Sequence, residues 1–265
     1  MAGNDEDLAL AHELADLADA ITLRRFLASD LAVETKPDLT PVTEADRAVE
    51  QAVREQLARA RQGDAVLGEE YGSSEREDSN RRWIIDPIDG TKNYVRGIPV
   101  WATLLALEQD GELAVAVASA PALGRRWWAA RGVGAFVSDG FADRERPIRV
   151  SGVRELADAQ LCWSGLGSWE QAGSLQALLE LSRRSWRSRG FGDFWGYMLV
   201  AEGAADVACE VEVSLWDLAA PMLSLEEAGG RFSDLIGVRT ATGEHGALAS
   251  NGLLHDAALA IVGRS

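Results

Sequence analysis

The sequence contains few of the residues that build disulfide frameworks or zinc sites. Among 265 residues there are two cysteines, Cys162 and Cys209, and three histidines. The cysteines lie far apart and form no CxxC pair, so we expect buried free thiols rather than a disulfide. The histidines, His12, His245 and His255, form no ligand cluster. The sequence therefore argues against a structural zinc site.

Basic residues are scarce relative to acidic ones. The chain has 26 lysines and arginines against 42 aspartates and glutamates, a formal net charge of −16. Nucleic acids and anionic membrane surfaces require a basic footprint on the protein, so we expect neither as a partner. A small phosphorylated substrate stays compatible with this charge, because divalent cations can lie between carboxylates and phosphate oxygens.

Long apolar runs are also absent. No uninterrupted run reaches the roughly 18 residues of a membrane-spanning helix, and the N-terminal segment MAGNDEDLALAHELADLADA is acidic where signal peptides are basic. We therefore expect a cytoplasmic protein. The 47% of hydrophobic residues suffice for the core of one large domain or of two modest ones.

Hydrophobic periodicity predicts two N-terminal helices followed by strands. Helical spacing covers residues 7–27 and the segment from about Thr43 to Arg61. DAVLGEE and RRWIID read as strands, and Asp110-Gly111 is typical of a hairpin turn. We expect an N-terminal α+β half, residues 1–147, and a C-terminal α/β half, residues 148–265, in which helices and short strands alternate. The polar segment 72–80 is expected to be a mobile surface loop.

The stretch WIIDPIDGTKNY ends a buried strand with two aspartates. Asp86 and Asp89 lie three residues apart around a proline, and Gly90 tolerates backbone angles that other residues avoid. The two carboxylates, with the carbonyl of Ile88 between them, could supply part of the octahedral oxygen set that magnesium requires. If Gly90 and Thr91 open a helix, their amides would point donors at a phosphate oxygen.

Four of the acidic residues that attract attention also have purely structural interpretations. Asp86 and Asp89 could serve turn and helix-cap chemistry, for which aspartate is favoured. Glu69, in LGEEYG, could be an exposed strand end. Asp46 follows Thr43 at the spacing of a capping box and could simply start a helix.

Asp217, in SLWDLAAPML, has a structural interpretation as well, because it could cap the helix that follows. Pro221 lies four residues later and lacks the amide that would bond back to the carbonyl of Asp217. We therefore expect this helix to start irregularly.

Three motifs in order, LGEEYG, WIIDPIDGTKNY and WDLAAPMLSLEEAGG, resemble the inositol monophosphatase superfamily of magnesium-dependent, lithium-sensitive phosphatases. The resemblance covers nearly the whole chain, since TKPDLTPVTEAD matches the N-terminal segment of the family and WWAARGVGAFVSDG its glycine-rich hairpin. It implies an α+β fold, layered as an α-β-α-β-α sandwich, with the metal site between the two halves. It also implies a homodimer, as is common in the family.

The resemblance implies roles for individual residues. The family's metal-ligand positions, which also contact the substrate phosphate, correspond to Glu69, Asp86, the carbonyl of Ile88, Asp89 and Asp217. Thr91 and Asp46 correspond to the pair that orients and deprotonates the attacking water, with Glu69 assisting. The amides of Gly90 and Thr91 correspond to the phosphate cradle, and Lys36 to a basic residue of the N-terminal loop. Two or three Mg²⁺ ions and inhibition by Li⁺ are implied.

The implied reaction is hydrolysis of a small-molecule phosphate monoester by a metal-activated water, without a covalent enzyme intermediate. The sequence contains no GxSxG elbow, no GxxxxGK[ST] loop and no GxGxxG opening a helix, so the machinery of competing reactions is absent.

The substrate is expected to be set by Asp193, in RGFGDFWGY, and Glu210, in ACEVEVSLWD. Family members that act on inositol phosphate usually carry a small or neutral residue at the first position, whereas Glu210 matches a glutamate that contacts ring hydroxyls. A second carboxylate favours a leaving group with an ammonium or a protonated imidazole. The GDF segment resembles the bacterial histidinol-phosphate phosphatases of this superfamily, which implies a role in histidine biosynthesis. Arg189 is expected to line the same pocket.

Several alternatives stay open at this point. The chain could act on inositol 1-phosphate or on a range of sugar phosphates, with Asp193 bonded to a hydroxyl. Action on 3'-phosphoadenosine phosphates would need a larger pocket and additional basic residues, which the sequence does not indicate. It could also be an inactive metal-binding regulator, although Asp46, Thr91 and the metal ligands are all present. Asp193 could cap the helix FWGYMLVAEG. Four tryptophans are expected in the core or at an interface rather than stacked on a substrate, namely Trp127, Trp128, Trp195 and Trp216.

Overall fold

The computed structural model describes residues 2–37, 40–74, 79–140 and 145–263. The helices are α1 (Ala2–Arg25), α2 (Glu44–Ala60), α3 (Thr91–Val95), α4 (Leu166–Gln171), α5 (Leu175–Arg184), α6 (Asp193–Ala201), α7 (Leu215–Glu227) and α8 (His255–Val262). The strands are β1 (Val33–Thr35), β2 (Pro41–Thr43), β3 (Ala65–Gly68), β4 (Gly72–Ser73), β5 (Arg81–Asp89), β6 (Ala102–Gln109), β7 (Glu112–Ala120), β8 (Arg125–Ala130), β9 (Gly134–Asp139), β10 (Arg146–Pro147), β11 (Gln160–Cys162), β12 (Arg187–Arg189), β13 (Val207–Glu210), β14 (Arg231–Ser233) and β15 (Ala247–Ser250). Residues 75–78 of the segment expected to be a mobile loop lie outside the described residues.

The first two helices cover one face of an eight-stranded sheet with the order β10-β9-β8-β7-β6-β5-β3-β4. Both helices were predicted from hydrophobic periodicity. Val49 and Val53 of α2 and Leu14 of α1 are buried against Trp83 of β5. Because side chains alternate along a strand, Ile84 lies on the opposite face of the sheet and belongs to another part of the core. No helix in the described ranges is long and apolar enough to cross a membrane.

Helices α6 and α7 form a middle layer between this sheet and a five-stranded sheet with the order β12-β11-β13-β15-β14. Ala208 and Ala249 of the second sheet face these helices, whereas Leu248 faces α5 and α8 on the outside. The layers therefore run α-β-α-β-α, which confirms the expected α+β fold. One core cluster spans both sheets. The division into halves at residues 147 and 148 stays a prediction.

The two cysteines are buried free thiols, as expected. Cys162 lies on β11 and points into the middle layer, while Cys209 lies on β13 and points to the outer helices. Burial raises the pKa of Cys162 to about 12. Both thiols are therefore protonated at neutral pH and serve as small apolar core groups.

His255, the first residue of α8, is buried between two serines. Its Nε2 lies 2.9 Å from Ser233 Oγ on β14, and its Nδ1 lies 3.0 Å from Ser250 Oγ on β15. Burial, with the nearby charge of Arg231, lowers the pKa of His255 from 6.5 to about 4. The neutral imidazole thus connects α8 to two strands of the second sheet.

We expect His255 to make the protein less stable as the pH falls from 6.5 to about 4. In this window the unfolded chain binds a proton that the folded protein resists, so the free energy of unfolding decreases, by up to about 3 kcal/mol. His255→Asn keeps a polar group between the serines but does not titrate. The difference in urea unfolding free energy between wild type and variant should therefore shrink toward low pH. If the unfolding free energies of wild type and variant instead change in parallel with pH, His255 contributes nothing to the acid sensitivity.

Candidate active site

A bulge in β5 places the two aspartates of the DPID segment. Strand β5 continues through both of them, and from Asp86 to Asp89 it advances three residues while its partner β6 advances two. Such a bulge bends the strand and redirects its side chains. Thr103 Oγ1 on β6 donates a 2.7 Å hydrogen bond to the carbonyl of Pro87 inside the bulge. Both carboxylates consequently lie on the same side of the strand end.

Asp217 joins these aspartates from the start of α7. One oxygen from each of Asp86, Asp89 and Asp217 lies within 4.8 Å of the other two. Asp217 also has the structural role considered above, since its Oδ2 accepts a 2.7 Å hydrogen bond from the amide of Ser214. Helix α7 starts at Leu215 and runs unbroken through its proline, so the expectation of an irregular start is wrong.

The charges of this cluster require compensation. Burial, with repulsion from Glu69 and Asp89, raises the pKa of Asp86 well above its usual value. Burial and the charge of Asp193 raise the pKa of Asp89, and burial raises that of Asp217 to about 6. Asp86 Oδ1 is buried and accepts no hydrogen bond from any residue of the described ranges. Carboxylate oxygens that lie this close together, one of them without a hydrogen-bond donor among the described residues, are suited to bind a hard divalent cation such as Mg²⁺.

Glu69, the other carboxylate expected to bind metal, lies at the turn after β3 and lines the cavity above the cluster. Lys36, between β1 and β2, donates from Nζ to Glu69 Oε1 over 2.8 Å and to Glu70 Oε1 over 2.6 Å. Burial opposes the charge of Lys36, but these hydrogen bonds outweigh it and raise its pKa. The expected N-terminal lysine therefore reaches the edge of the cluster. Residues 38–39 of the same segment lie outside the described part of the chain.

Glu50 is a buried residue that positions part of the site and that the sequence did not reveal. It is fully buried on α2, and its carboxylate accepts hydrogen bonds of 2.7 Å and 3.1 Å from the amides of Glu70 and Tyr71. These bonds hold the turn that carries Glu69. The available signal was a glutamate four residues after Asp46, on the buried face of an amphipathic helix.

The Glu50 carboxylate occupies the space that a side chain at Gly68 would need. A Cβ at this position would lie 2.0 Å from Glu50 Oε1. We expect Gly68→Ala to displace the carboxylate, to lower the free energy of unfolding by about 2 to 3 kcal/mol and to weaken Mg²⁺ binding. Gly63→Ala is the control, because its Cβ would meet nothing within 4 Å. Thermal unfolding with and without Mg²⁺ measures both effects, and equal stability of the two variants would contradict this role of Glu50.

Asp46 contacts the helix cap and Thr91 through different oxygens. Its Oδ2 accepts hydrogen bonds from the amide of Thr43, at 2.8 Å, and from Thr43 Oγ1, at 2.5 Å, which completes the capping box of α2. Its Oδ1 lies 3.2 Å from Thr91 Oγ1, which is also 2.9 Å from the carbonyl of Ile88. Burial raises the pKa of Asp46, so it is a better proton acceptor than an exposed aspartate.

Gly90 turns the chain from β5 into α3. Its φ of 84° lies in the left-handed region, and a Cβ would be 2.9 Å from the carbonyl of Val100. Only glycine avoids strain here. A helix does begin at Thr91, next to the three aspartates, which meets the condition considered for a phosphate cradle.

Asp193 faces the same site from the start of α6. The helix cap is Gly192 rather than Asp193, and the amide of Phe194 donates to Asp89 Oδ2 over 2.7 Å. Asn93 Nδ2 donates a 3.0 Å hydrogen bond to Asp193 Oδ2. Asp89 thus performs the capping that was considered for Asp193, whose own carboxylate borders the cavity.

An open cavity of about 730 Å³ lies over the cluster, and its walls include Glu69, Lys92, Asp193, Trp216 and Asp217. A smaller cavity of about 100 Å³, which we call the inner recess, shares five of its lining residues with the open cavity. The residues that line the inner recess are Asp89, Ser164, Asp193, Phe194, Tyr197, Glu210, Glu212, Val213 and Asp217.

Of the remaining residues predicted to contact the substrate, Glu210 lies in the recess and Arg189 lies at the surface. Glu210 is buried in the recess, accepts a hydrogen bond from Ser164 Oγ, and has its pKa raised to about 8, mainly by burial. Arg189 is exposed at the end of β12, where its Nη1 donates to the carbonyl of Ser188 over 2.7 Å. Trp127 and Trp128 lie in the core, as expected.

Comparison with known proteins assigns the chain to a family. The inositol monophosphatase family model matches residues 4–265. The chain belongs to the inositol monophosphatase family. Within this family, the histidinol-phosphatase of Mycobacterium tuberculosis is 56% identical over 258 residues, 96% of each chain, and that of Streptomyces coelicolor is 53% identical over 95% of this chain and 94% of its own. The crystal structure of the extragenic suppressor protein suhB from Bartonella henselae superposes with a TM-score of 0.89 at 29% identity, over 97% of this chain and 98% of its own.

These relatives confirm the resemblance seen in the motifs. As a member of the inositol monophosphatase family with full-length relatives named as phosphatases, the chain is a phosphoric monoester hydrolase. These findings therefore rule out the alternative that the chain is an inactive metal-binding regulator. The carboxylate cluster and the recess of this phosphatase share Asp89 and Asp217, and the Asp46 and Thr91 pair lies next to the carbonyl of Ile88.

Proposed function

We propose that this phosphatase hydrolyses L-histidinol phosphate to L-histidinol and phosphate, in the cytoplasm, as a step of histidine biosynthesis. One observation supports this most: Asp193 and Glu210, two carboxylates, line a recess directly beside the three-aspartate cluster. Relatives that are 53% and 56% identical carry the name histidinol-phosphatase. We propose a homodimer on family resemblance alone.

We propose Mg²⁺ as the cofactor, two or three ions per site, and inhibition by Li⁺, both by family resemblance. The oxygen atoms that would hold it belong to Glu69, Asp86, the carbonyl of Ile88, Asp89 and Asp217. The unsatisfied Oδ1 of Asp86 and the mutual repulsion of the buried carboxylates support this assignment. Bound magnesium would neutralise the phosphate and lower the pKa of a coordinated water.

The residues of the chain position the water and the phosphate. Thr91 Oγ1 accepts a hydrogen bond from the water when its own proton points to Asp46 Oδ1, 3.2 Å away. Asp46 Oδ1 then takes the proton of the Thr91 hydroxyl while Thr91 takes a proton from the water, and Asp46 Oδ2 stays fixed by Thr43. In this orientation the hydroxyl leaves the carbonyl of Ile88 free as a ligand. The amides of Gly90 and Thr91 donate to a phosphate oxygen.

Asp193 and Glu210 select the leaving group. L-Histidinol carries an amine and an imidazole. A protonated nitrogen beside Glu210 favours the ionised form of this side chain, which burial alone disfavours, and forms charge-assisted hydrogen bonds with both carboxylates. A polyol such as inositol offers only hydroxyl groups, so its hydrogen bonds to the same carboxylates would be weaker. The preference for histidinol phosphate should therefore depend on the negative charge of Asp193.

Phosphate release from L-histidinol phosphate and from inositol 1-phosphate, with Mg²⁺ and with EDTA, tests the proposal. We expect Mg²⁺-dependent preference for histidinol phosphate. Asp193→Asn, which keeps the shape of the side chain, should lower kcat/KM for histidinol phosphate by about 10- to 100-fold and change that for inositol 1-phosphate little. Preference for inositol 1-phosphate, unaltered in the variant, would contradict the substrate but leave the phosphatase chemistry in place.

A further inference from the structure

The inner recess contains a hydroxyl group whose function the roles described above do not explain. Tyr197 lies on α6, four residues after Asp193, so the two side chains point to the same side of the helix. The residue is only 2% exposed. Its hydroxyl is buried and has no hydrogen-bond partner among the residues that the structure describes. Folded proteins rarely leave a buried hydroxyl unpaired, which indicates that a ligand supplies the partner.

The other walls of the recess indicate the chemistry of that ligand. Glu210 and Asp193 offer carboxylate oxygens, and Phe194 and Val213 offer apolar surface. The hydroxyl of Tyr197 can accept a hydrogen bond from an N–H group and donate to a carboxylate at the same time. With about 100 Å³, the recess has room for a small group rather than a large one. A protonated nitrogen on a small flat or branched group could bond to the carboxylates and to the hydroxyl, while the rest of the group contacts the apolar side chains.

The recess also has the right position for a leaving group. Asp89 and Asp217 of the cluster form part of its wall, so a phosphate held at the cluster lies next to its opening. A substrate with its phosphate on the cluster would extend its other end toward Tyr197. The tyrosine ring is buried and packs against Phe232 with centroids 6.1 Å apart, which restrains the position of the hydroxyl.

We propose that the inner recess binds the protonated nitrogen of the leaving group, and that the Tyr197 hydroxyl is a specificity-determining contact there. This inference rests on histidinol phosphate as the substrate. It assigns to Tyr197 a role that neither metal binding nor activation of water requires. The hydroxyl distinguishes a nitrogen-containing leaving group from one that lacks a donor at this point, and it does not participate in the chemical step.

Tyr197→Phe tests the inference because it removes one hydroxyl and keeps the ring. We expect kcat/KM for L-histidinol phosphate to fall at least about tenfold, and the inhibition constant of L-histidinol to rise by a similar factor. Release of phosphate from p-nitrophenyl phosphate, which has no such nitrogen, should change less than about twofold. The melting temperature should not fall, since the hydroxyl that is lost has no hydrogen-bond partner among the described residues of the free protein.

Tyr94→Phe is the matched control. Tyr94 is also buried, but its hydroxyl donates a 2.7 Å hydrogen bond to the carbonyl of Thr22. Loss of this hydroxyl should lower the melting temperature. It should leave unchanged the ratio of kcat/KM for L-histidinol phosphate to that for p-nitrophenyl phosphate. The two variants are therefore expected to show opposite patterns of stability and specificity.

Each of the other outcomes would contradict either the proposed function or the role of Tyr197. Wild type that releases no phosphate from L-histidinol phosphate would overturn the proposed function, and this inference with it. Active wild type with an unchanged Tyr197→Phe variant would overturn the inference alone. An equal loss on both substrates would also overturn it, because it would show that Tyr197 supports the site as a whole rather than the leaving group.

Discussion

Asp86→Asn should make the metal-free phosphatase more stable while it removes nearly all activity. The substitution deletes one of three crowded carboxylates, whose repulsion and burial raise the pKa of Asp86. Relief of this repulsion should increase the free energy of unfolding by about 1 to 2 kcal/mol without Mg²⁺. Loss of a charged ligand should lower kcat by about a thousandfold or more. Thermal unfolding in EDTA and steady-state kinetics measure the two effects.

The order of stability should reverse when Mg²⁺ is present. A cation that binds only the folded state stabilises wild type by about 2.7 kcal/mol at one hundred times its dissociation constant, and the variant should gain far less. Asp64→Asn is the control, because the Asp64 side chain is 7% exposed and pairs with Arg81 at 3.0 Å. This substitution should destabilise the protein with or without metal. If Asp86→Asn destabilised the metal-free protein as Asp64→Asn does, the cluster would not be a site in need of a cation.

Thr91→Val should lower kcat by about 100- to 10,000-fold and leave Mg²⁺ binding nearly unchanged. Valine has the shape of threonine but lacks the Oγ1 that lies 3.2 Å from Asp46 Oδ1. The water would lose the group that orients it and connects it to Asp46. Because the carboxylates are untouched, the metal concentration that gives half the thermal stabilisation should stay within about threefold of wild type.

Thr91→Ser separates loss of the hydroxyl from disturbance of α3. Serine keeps the oxygen and removes only a methyl group from a half-buried position. It should recover most of the activity that valine loses. Equal kcat values for the serine and valine variants would show that the hydroxyl does not act on the water, and similar loss of metal binding would place the effect on the cluster instead.

Local sequence signals predicted the elements that carry the site. The capping box at Thr43 and the apolar stripe of Val49 and Val53 defined α2, because capping and amphipathicity depend on residues within a few turns. The hairpin turn at Asp110 and the sharp turn at the glycine after Asp89 were likewise predicted from a few neighbouring residues. Three separated motifs gave the family, and the family then implied that Asp217 joins the cluster.

Contacts between distant residues could not be predicted in the same way. The amide of Phe194 is held by Asp89, 105 residues earlier, and Asn93 binds Asp193, 100 residues later. The bulge in β5 depends on pairing with β6, which no motif specifies. Glu50 resembled an ordinary polar residue of a helix because its partners lie beyond the next strand. Such features follow from packing, which a single sequence does not display.

Binding of Mn²⁺, followed by electron paramagnetic resonance as a paramagnetic substitute for Mg²⁺, tests most directly whether the aspartate cluster is a metal centre. The account predicts saturable binding of two or three ions to wild type, displacement by Mg²⁺, and loss of the tightest site in Asp86→Asn with the fold retained. Absence of bound Mn²⁺ in a wild-type protein that nevertheless releases phosphate, or unchanged binding in the variant, would contradict it.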